Sequence, residues 1–201
     1  MQPAREGGTM EKAGHGLEKP VIAYVFIEHL DAEDPRVALK NFYRDNPTVE
    51  FVARFVGSFI AFARVKVDTF QELHELMAGK YWNAGVKCSW STVVALSPGV
   101  QMPKKAGTKY CALLRIVTAQ GEDPVEVMAR LALTFNHWGD HVGIAAVTGD
   151  YDILMTIGAQ EADRLLDAVL QKVRKVEGVA STETAFADLE NNALERNDRK
   201  K

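Results

Sequence analysis

Two cysteines in 201 residues, Cys88 and Cys111, are too few for a disulfide framework, and their spacing matches no zinc motif. Both lie in stretches that read as strands, so reduced core residues are expected. No apolar run approaches the ~18 residues of a membrane span, and the first residues lack the apolar centre of a secretory signal. A cytoplasmic protein is therefore expected. Neither charge dominates: 24 basic against 27 acidic residues leave no overall field to attract nucleic acid. Aromatic residues are few, and Phe42, Tyr43, Tyr81, Trp82, Trp90 and Trp138 are scattered over helical and strand positions. They read as core or interface rather than as a base-stacking platform. A glycine-rich phosphate loop, a nucleophile elbow and a zinc-protease helix are all missing, and no catalytic residue, metal or cofactor is assigned.

What the chain does have is repetition. Residues 1–18 are polar and glycine-rich without periodicity and are expected to form a disordered leader. Residues 191–201, with Arg196, Arg199, Lys200 and Lys201, read as a charged tail that frays. Between them the sequence is written twice, over 19–100 and 108–190. "AEDPRVALKNFY" answers "GEDPVEVMARLALTF", and in each an Asp-Pro pair precedes an amphipathic run. Asp34 and Asp123 are thus predicted N-caps, with Pro35 and Pro124 at the first helical position, where a missing N–H costs nothing. "FVGSFIAFARV" (55–65) answers "VTGDYDILMTI" (147–157), and "AGVKCSWSTVVAL" answers "EGVASTETAFADL".

Each half reads strand, helix, strand, strand, helix, strand. Strands are predicted near 21–29, 49–56, 59–67 and 86–96, then 109–118, 141–148, 151–158 and 179–189. Helices are predicted over 35–44, 69–80, 124–135 and 162–176, the last with Leu165, Leu166, Val169, Leu170, Val173 and Val176 in one apolar stripe. This is the ferredoxin-like βαββαβ order. Strands covered on one face only would alternate apolar with polar, yet "IAAV", "DILMTI" and "FIAFA" are apolar on both faces. The expected fold class is α+β: two ferredoxin-like βαββαβ repeats packed sheet to sheet, an intrachain pseudo-dimer of dimeric α/β-barrel type.

In the second half, "VTGDYDILMTIGA", the "LLDAVLQKV" helix and the "EGVASTETAF" closing strand resemble the effector-binding domain of the leucine-responsive (Lrp/AsnC) transcription regulators. The likeness spans about 110–189; the first half looks like a diverged copy, and the family's usual N-terminal helix-turn-helix is missing. The resemblance implies a stand-alone, non-enzymatic regulator that binds an amino acid or related metabolite. It would act as a homo-oligomer or through a DNA-binding Lrp/AsnC relative, without touching nucleic acid or membrane itself. It also implies an effector site of Thr148, Gly149, Asp150, Tyr151 and Asp152, facing Thr182, Glu183 and Thr184.

Read as residues, Gly57 and Gly149 are hairpin glycines, and Asp152 either caps local N–H groups or holds an ammonium group. In the first copy the acids become Ser58 and Ile60, and "STET" becomes "CSWS" around Trp90, which leaves that copy a scaffold role. His137 and His141 have the spacing at which two imidazoles on one helix share a metal, but Gly139 between them ends the helix, so a solvated loop is expected. An alternative is a dimeric α/β-barrel enzyme, monooxygenase-like or haem/tetrapyrrole-handling, using a His or Arg that faces an enclosed cavity. Its candidates are His29, Arg64, His74 and Arg115.

Overall fold

The computed structural model describes residues 20–78, 87–97, 100 and 108–195. The expected leader, Tyr81, Trp82 and residues 196–201 lie outside the described residues. The first half contains β1 (Val21–Asp31), α1 (Pro35–Asp45), β2 (Val49–Arg54), β3 (Val56–Gly57), β4 (Ala61–Val67), α2 (Phe70–Met77) and β5 (Lys87–Ser97). The second contains β6 (Tyr110–Thr118), α3 (Pro124–Thr134), β7 (Val142–Thr148), β8 (Ile153–Ala159), α4 (Ala162–Asp167) and β9 (Val179–Asp188). The helix of α4 continues as a π turn over Ala168–Lys172 and a 3-10 turn over Val173–Lys175, where the sequence predicts one unbroken helix. No described helix is long and apolar enough to cross a membrane.

The Asp-Pro pairs act as read. The Asp34 carboxylate accepts from the backbone N–H of Arg36 at 2.8 Å, and that of Asp123 from Val125 at 2.8 Å, so each helix starts with an orphan donor satisfied.

Each half is a ferredoxin-like sheet: β1 pairs with β4 and β5, and β6 with β8 and β9, all antiparallel. The two sheets also join at their edges, β5 to β7 and β9 to β3. Because β3 follows β2 after one residue, the row of strands closes on itself. The result is an eight-position barrel built from one chain, with helices outside.

Three apolar layers follow. Ala23, Val25, Ala61, Ala63 and Val65 pack beneath Leu39, Phe42, Leu73 and Leu76 of the first two helices. Ile153, Met155 and Ile157 pack beneath Val127, Leu131, Leu165 and Val169 of the others. The alternate strand positions fill the lumen with Tyr24, Phe26, Phe51, Phe55, Phe59, Phe62, Leu113 and Leu154. That is why these strands are apolar on both faces.

The segment expected to fray is ordered in its first part. Leu189 is fully buried in the lumen layer, α5 (Leu189–Asn192) turns the chain, and β10 (Ala193–Glu195) pairs with β2. Its apolar Ala193 and Leu194, packed against the lumen layer and the first helix layer, outweigh the charged residues around them.

Candidate functional site at one mouth of the barrel

Strand registers define which residues are equivalent in the two halves. Phe26 lies opposite Phe62 and Ser91, as Arg115 lies opposite Leu154 and Glu183. The hairpins align Gly57-Ser58-Phe59 with Gly149-Asp150-Tyr151. Where the second half places Arg115, Tyr151 and Glu183, the first therefore places Phe26, Phe59 and Ser91. "STET" and "CSWS" are off by one position: the registers set Glu183 in the place of Ser91, not of Trp90, and each half has its own register shift, between Ile27 and His29 and between Val117 and Thr118.

These residues meet at one mouth of the lumen. The Arg115 side chain is only 4% exposed, and its guanidinium carbon lies 4.9 Å from the Phe26 ring centre, 5.2 Å from Phe59 and 4.6 Å from Tyr151. Arg115 Nη2 donates to Glu183 Oε2, while Nη1 stands 3.8 Å from Glu28 Oε1. The Tyr151 hydroxyl donates to Glu183 Oε2 at 3.0 Å, and Ser91 Oγ donates to Glu28 Oε1 at 3.0 Å. Burial, and then the bond to Glu183, push the Tyr151 phenol up, which keeps it a protonated donor at neutral pH. The site is thus a buried guanidinium with low-dielectric aromatic walls, its charge met at the rim by Glu183 and approached by Glu28.

Of the eight residues expected at an effector site, Tyr151 and Glu183 converge. Thr148, Gly149 and Asp150 form the exposed hairpin tip, with Thr148 Oγ1 donating to the Val94 carbonyl at 3.4 Å. Thr182 and Thr184 alternate to the opposite face of β9 from Glu183, where Thr182 Oγ1 accepts from Arg174 Nε at 3.1 Å. The Asp152 carboxylate is spent within the fold: it accepts from Thr118 N at 2.8 Å and Thr118 Oγ1 at 2.9 Å. Asp152→Ala is expected to cost about 1–3 kcal/mol by orphaning these part-buried donors. Exposed Asp150→Ala is expected to change the thermal unfolding midpoint little, and equal effects of the two would refute the brace.

Of the four enzyme candidates, Arg64 and Arg115 face the lumen, while His29 and His74 are exposed. Arg64 Nη1 pairs with Glu50 Oε2, and Arg64 lies opposite Tyr24, whose phenol is pushed up by burial against the opposing pull of the guanidinium. Glu50 sits at a register shift in β2, which turns it toward Arg64. Phe26, Phe59, Glu28 and Ser91 are the site residues that sequence reasoning missed. α3 ends at Thr134, so His137 and His141 do not share a helical face; His141 Nε2 lies 3.1 Å from Thr156 Oγ1. No group of three metal-ligating side chains exists among the described residues. Both thiols are free, with Cys88 pushed up to about 11 by burial and Cys111 higher still, so neither is a thiolate nucleophile at neutral pH.

No family model matches the chain, and no curated protein matches it. Solved structures do. A mutant chlorite dismutase from Candidatus Nitrospira defluvii aligns with TM-score 0.52 at 10% identity, over 83% of this chain and 90% of its own. An anthrone oxidase-like protein aligns with TM-score 0.52 at 10% identity, over 88% of this chain and 92% of its own. A protein described as a monooxygenase, from Lactobacillus acidophilus, aligns with TM-score 0.52 at 10% identity, over 84% and 93%. The fold is that of the dimeric α+β barrels. These neighbours overturn the Lrp/AsnC reading, and with it transcription regulation and amino-acid binding. The hairpin glycine, the helix stripe and the closing strand that carried that resemblance are features any βαββαβ unit needs.

Proposed function

We propose that the chain is an enzyme of the dimeric α+β-barrel kind, monooxygenase-like, acting on a small organic molecule at the Arg115 mouth. The observation that carries the reading is the buried Arg115 guanidinium, whose Nε and Nη1 have no hydrogen-bond partner. Such donors, held in a water-poor aromatic setting, stabilise an oxyanion that forms when an acidic C–H or O–H is deprotonated. The neighbours described as an anthrone oxidase-like protein and a monooxygenase support oxidative chemistry. One balanced form needs no added reductant: an activated CH2 group and dioxygen give a carbonyl and water, with the substrate supplying every electron.

The haem form of the alternative does not fit. A haem needs an axial donor over an enclosed slot. Among the described residues His29, His74 and His137 are exposed, His141 is tied to Thr156, and the space between helices and sheet is filled by Leu131, Met155, Leu165 and Val169. The unpaired cysteines support a reducing compartment, hence the cytoplasm.

The test is dioxygen uptake by the purified chain with anthrone and related acidic polycyclic phenols. Substrate-dependent uptake is expected, with kcat/KM falling about 100-fold or more in Arg115→Met. No uptake across the panel, or a folded Arg115→Met as active as the parent, would overturn the reading.

A further inference from the structure

Arg115 meets Glu183 through Nη2, the nitrogen that belongs to both two-donor edges of a guanidinium. Its Nε and Nη1 donate to nothing, and the 3.8 Å from Nη1 to Glu28 exceeds hydrogen-bond length. Leaving donors of a buried cation unspent is costly, so this arrangement needs a reason beyond stability. Glu183 itself is half exposed, with a side-chain exposure of 46%, and it bonds Arg115 and Tyr151 through the same oxygen. Of the three rings around the guanidinium, Phe26 and Phe59 are buried, whereas Tyr151 is half-buried and stands at the rim. Glu183 and Tyr151 thus close the mouth from its solvent side, and each holds the other, while Glu28, equally exposed, is held by Ser91.

We propose that Glu183 and Tyr151 form a latch holding the place of the substrate, and that an aromatic monoanion, an aryl carboxylate or phenolate, displaces it. This rests on reading the Arg115 mouth as the substrate site. An incoming carboxylate that pairs with two donors must share Nη2 with Glu183, which sets two carboxylates against each other on one nitrogen and favours the exit of Glu183. Charge requires the same exit, since a third anion beside Glu28 and Glu183 would face a single cation. A ligand that also pushes the Tyr151 ring aside forfeits a cation–π contact and must restore it with a flat π face of its own. An aliphatic acid supplies the charge without the face, and a neutral aromatic supplies the face without the charge.

The experiment is calorimetric titration of the full chain with 1-naphthoate and with 4-nitrophenolate, against 1-naphthamide and cyclohexanecarboxylate, without turnover. Both aromatic anions are expected to bind, the controls weakly or not at all. Glu183→Gln, which keeps the shape and removes the competing charge, is expected to tighten 1-naphthoate by about tenfold. Arg115→Met is expected to lose binding. Because that change alters a buried position, Tyr151→Phe serves as a second variant: it keeps the ring, frees Glu183, and is expected to tighten 1-naphthoate by about threefold. Unchanged affinity in both Glu183→Gln and Tyr151→Phe overturns the latch, as does amide binding equal to acid binding, or no binding of either anion to Glu183→Gln. Dioxygen uptake without these affinity changes would sink the latch alone; the affinity changes without uptake would sink the oxidative chemistry alone.

Discussion

Gly57→Val is expected to open the barrel and cost more than about 3 kcal/mol of stability, read as a lower urea midpoint. Gly57 has φ +145°, a conformation that β-branched residues rarely adopt. A Cβ there would lie 2.5 Å from the Thr184 carbonyl oxygen and 2.8 Å from Ala185 Cα. Both obstacles are backbone of β9, so neither can swing away as a side chain would. Ala185 is also the partner of Gly57 in the short ladder, Val56 to Phe186 and Gly57 to Ala185, that closes the first half onto the second. Relief of the clash therefore breaks the closure. Gly121→Ala isolates the strain alone: its φ is +88° and nothing lies within 4 Å of an added Cβ. It is expected to cost about 1 kcal/mol. If the two variants unfold at the same urea concentration, the close approach of β3 to β9 is not what holds the barrel shut.

Local physics was legible in the sequence. Asp34 with Pro35 and Asp123 with Pro124 start helices because a cap and a fixed φ act over three residues and need no tertiary partner. The barrel was legible too, since "DILMTI" and "FIAFA" cannot be apolar on both faces unless both are covered. What could not be read is what depends on register between distant strands. Arg115 is flanked by Phe26, Phe59, Tyr151 and Glu183, which arrive from four different places in the chain. Aligned as sequence, "STET" and "CSWS" equate Glu183 with Trp90, whereas the strand registers equate it with Ser91, and with a period of two one slip exchanges lumen for outer face. Asp152 looked like a site acid because the sequence does not show Thr118 beside it. The pairing of β10 with β2 is likewise invisible, because three residues with one charge look like the rest of a polar tail.

Making the two halves alike at the mouth is expected to unfold the protein. Phe26→Arg would place a second guanidinium at the position equivalent to Arg115, across a gap that the ring now fills at 4.9 Å. At an effective dielectric of about 20, two like charges about 5 Å apart repel by about 3 kcal/mol. The change also removes a fully buried ring packed at 5.1 Å on Phe59 and 5.4 Å on Phe62, a loss of about 3–5 kcal/mol for a large aromatic. Together these rival the roughly 5–15 kcal/mol that holds a domain folded. Phe26→Leu, which keeps an apolar side chain, is expected to cost about 1–3 kcal/mol and leave a cooperative urea transition. The double variant Phe26→Arg with Ser91→Glu supplies the new cation with the carboxylate that Glu183 gives Arg115, and it is expected to recover part of the loss. If Phe26→Arg alone unfolds no sooner than Phe26→Leu, the mouth tolerates two cations. In that case the division of one charged half against one aromatic half is not what shapes the site.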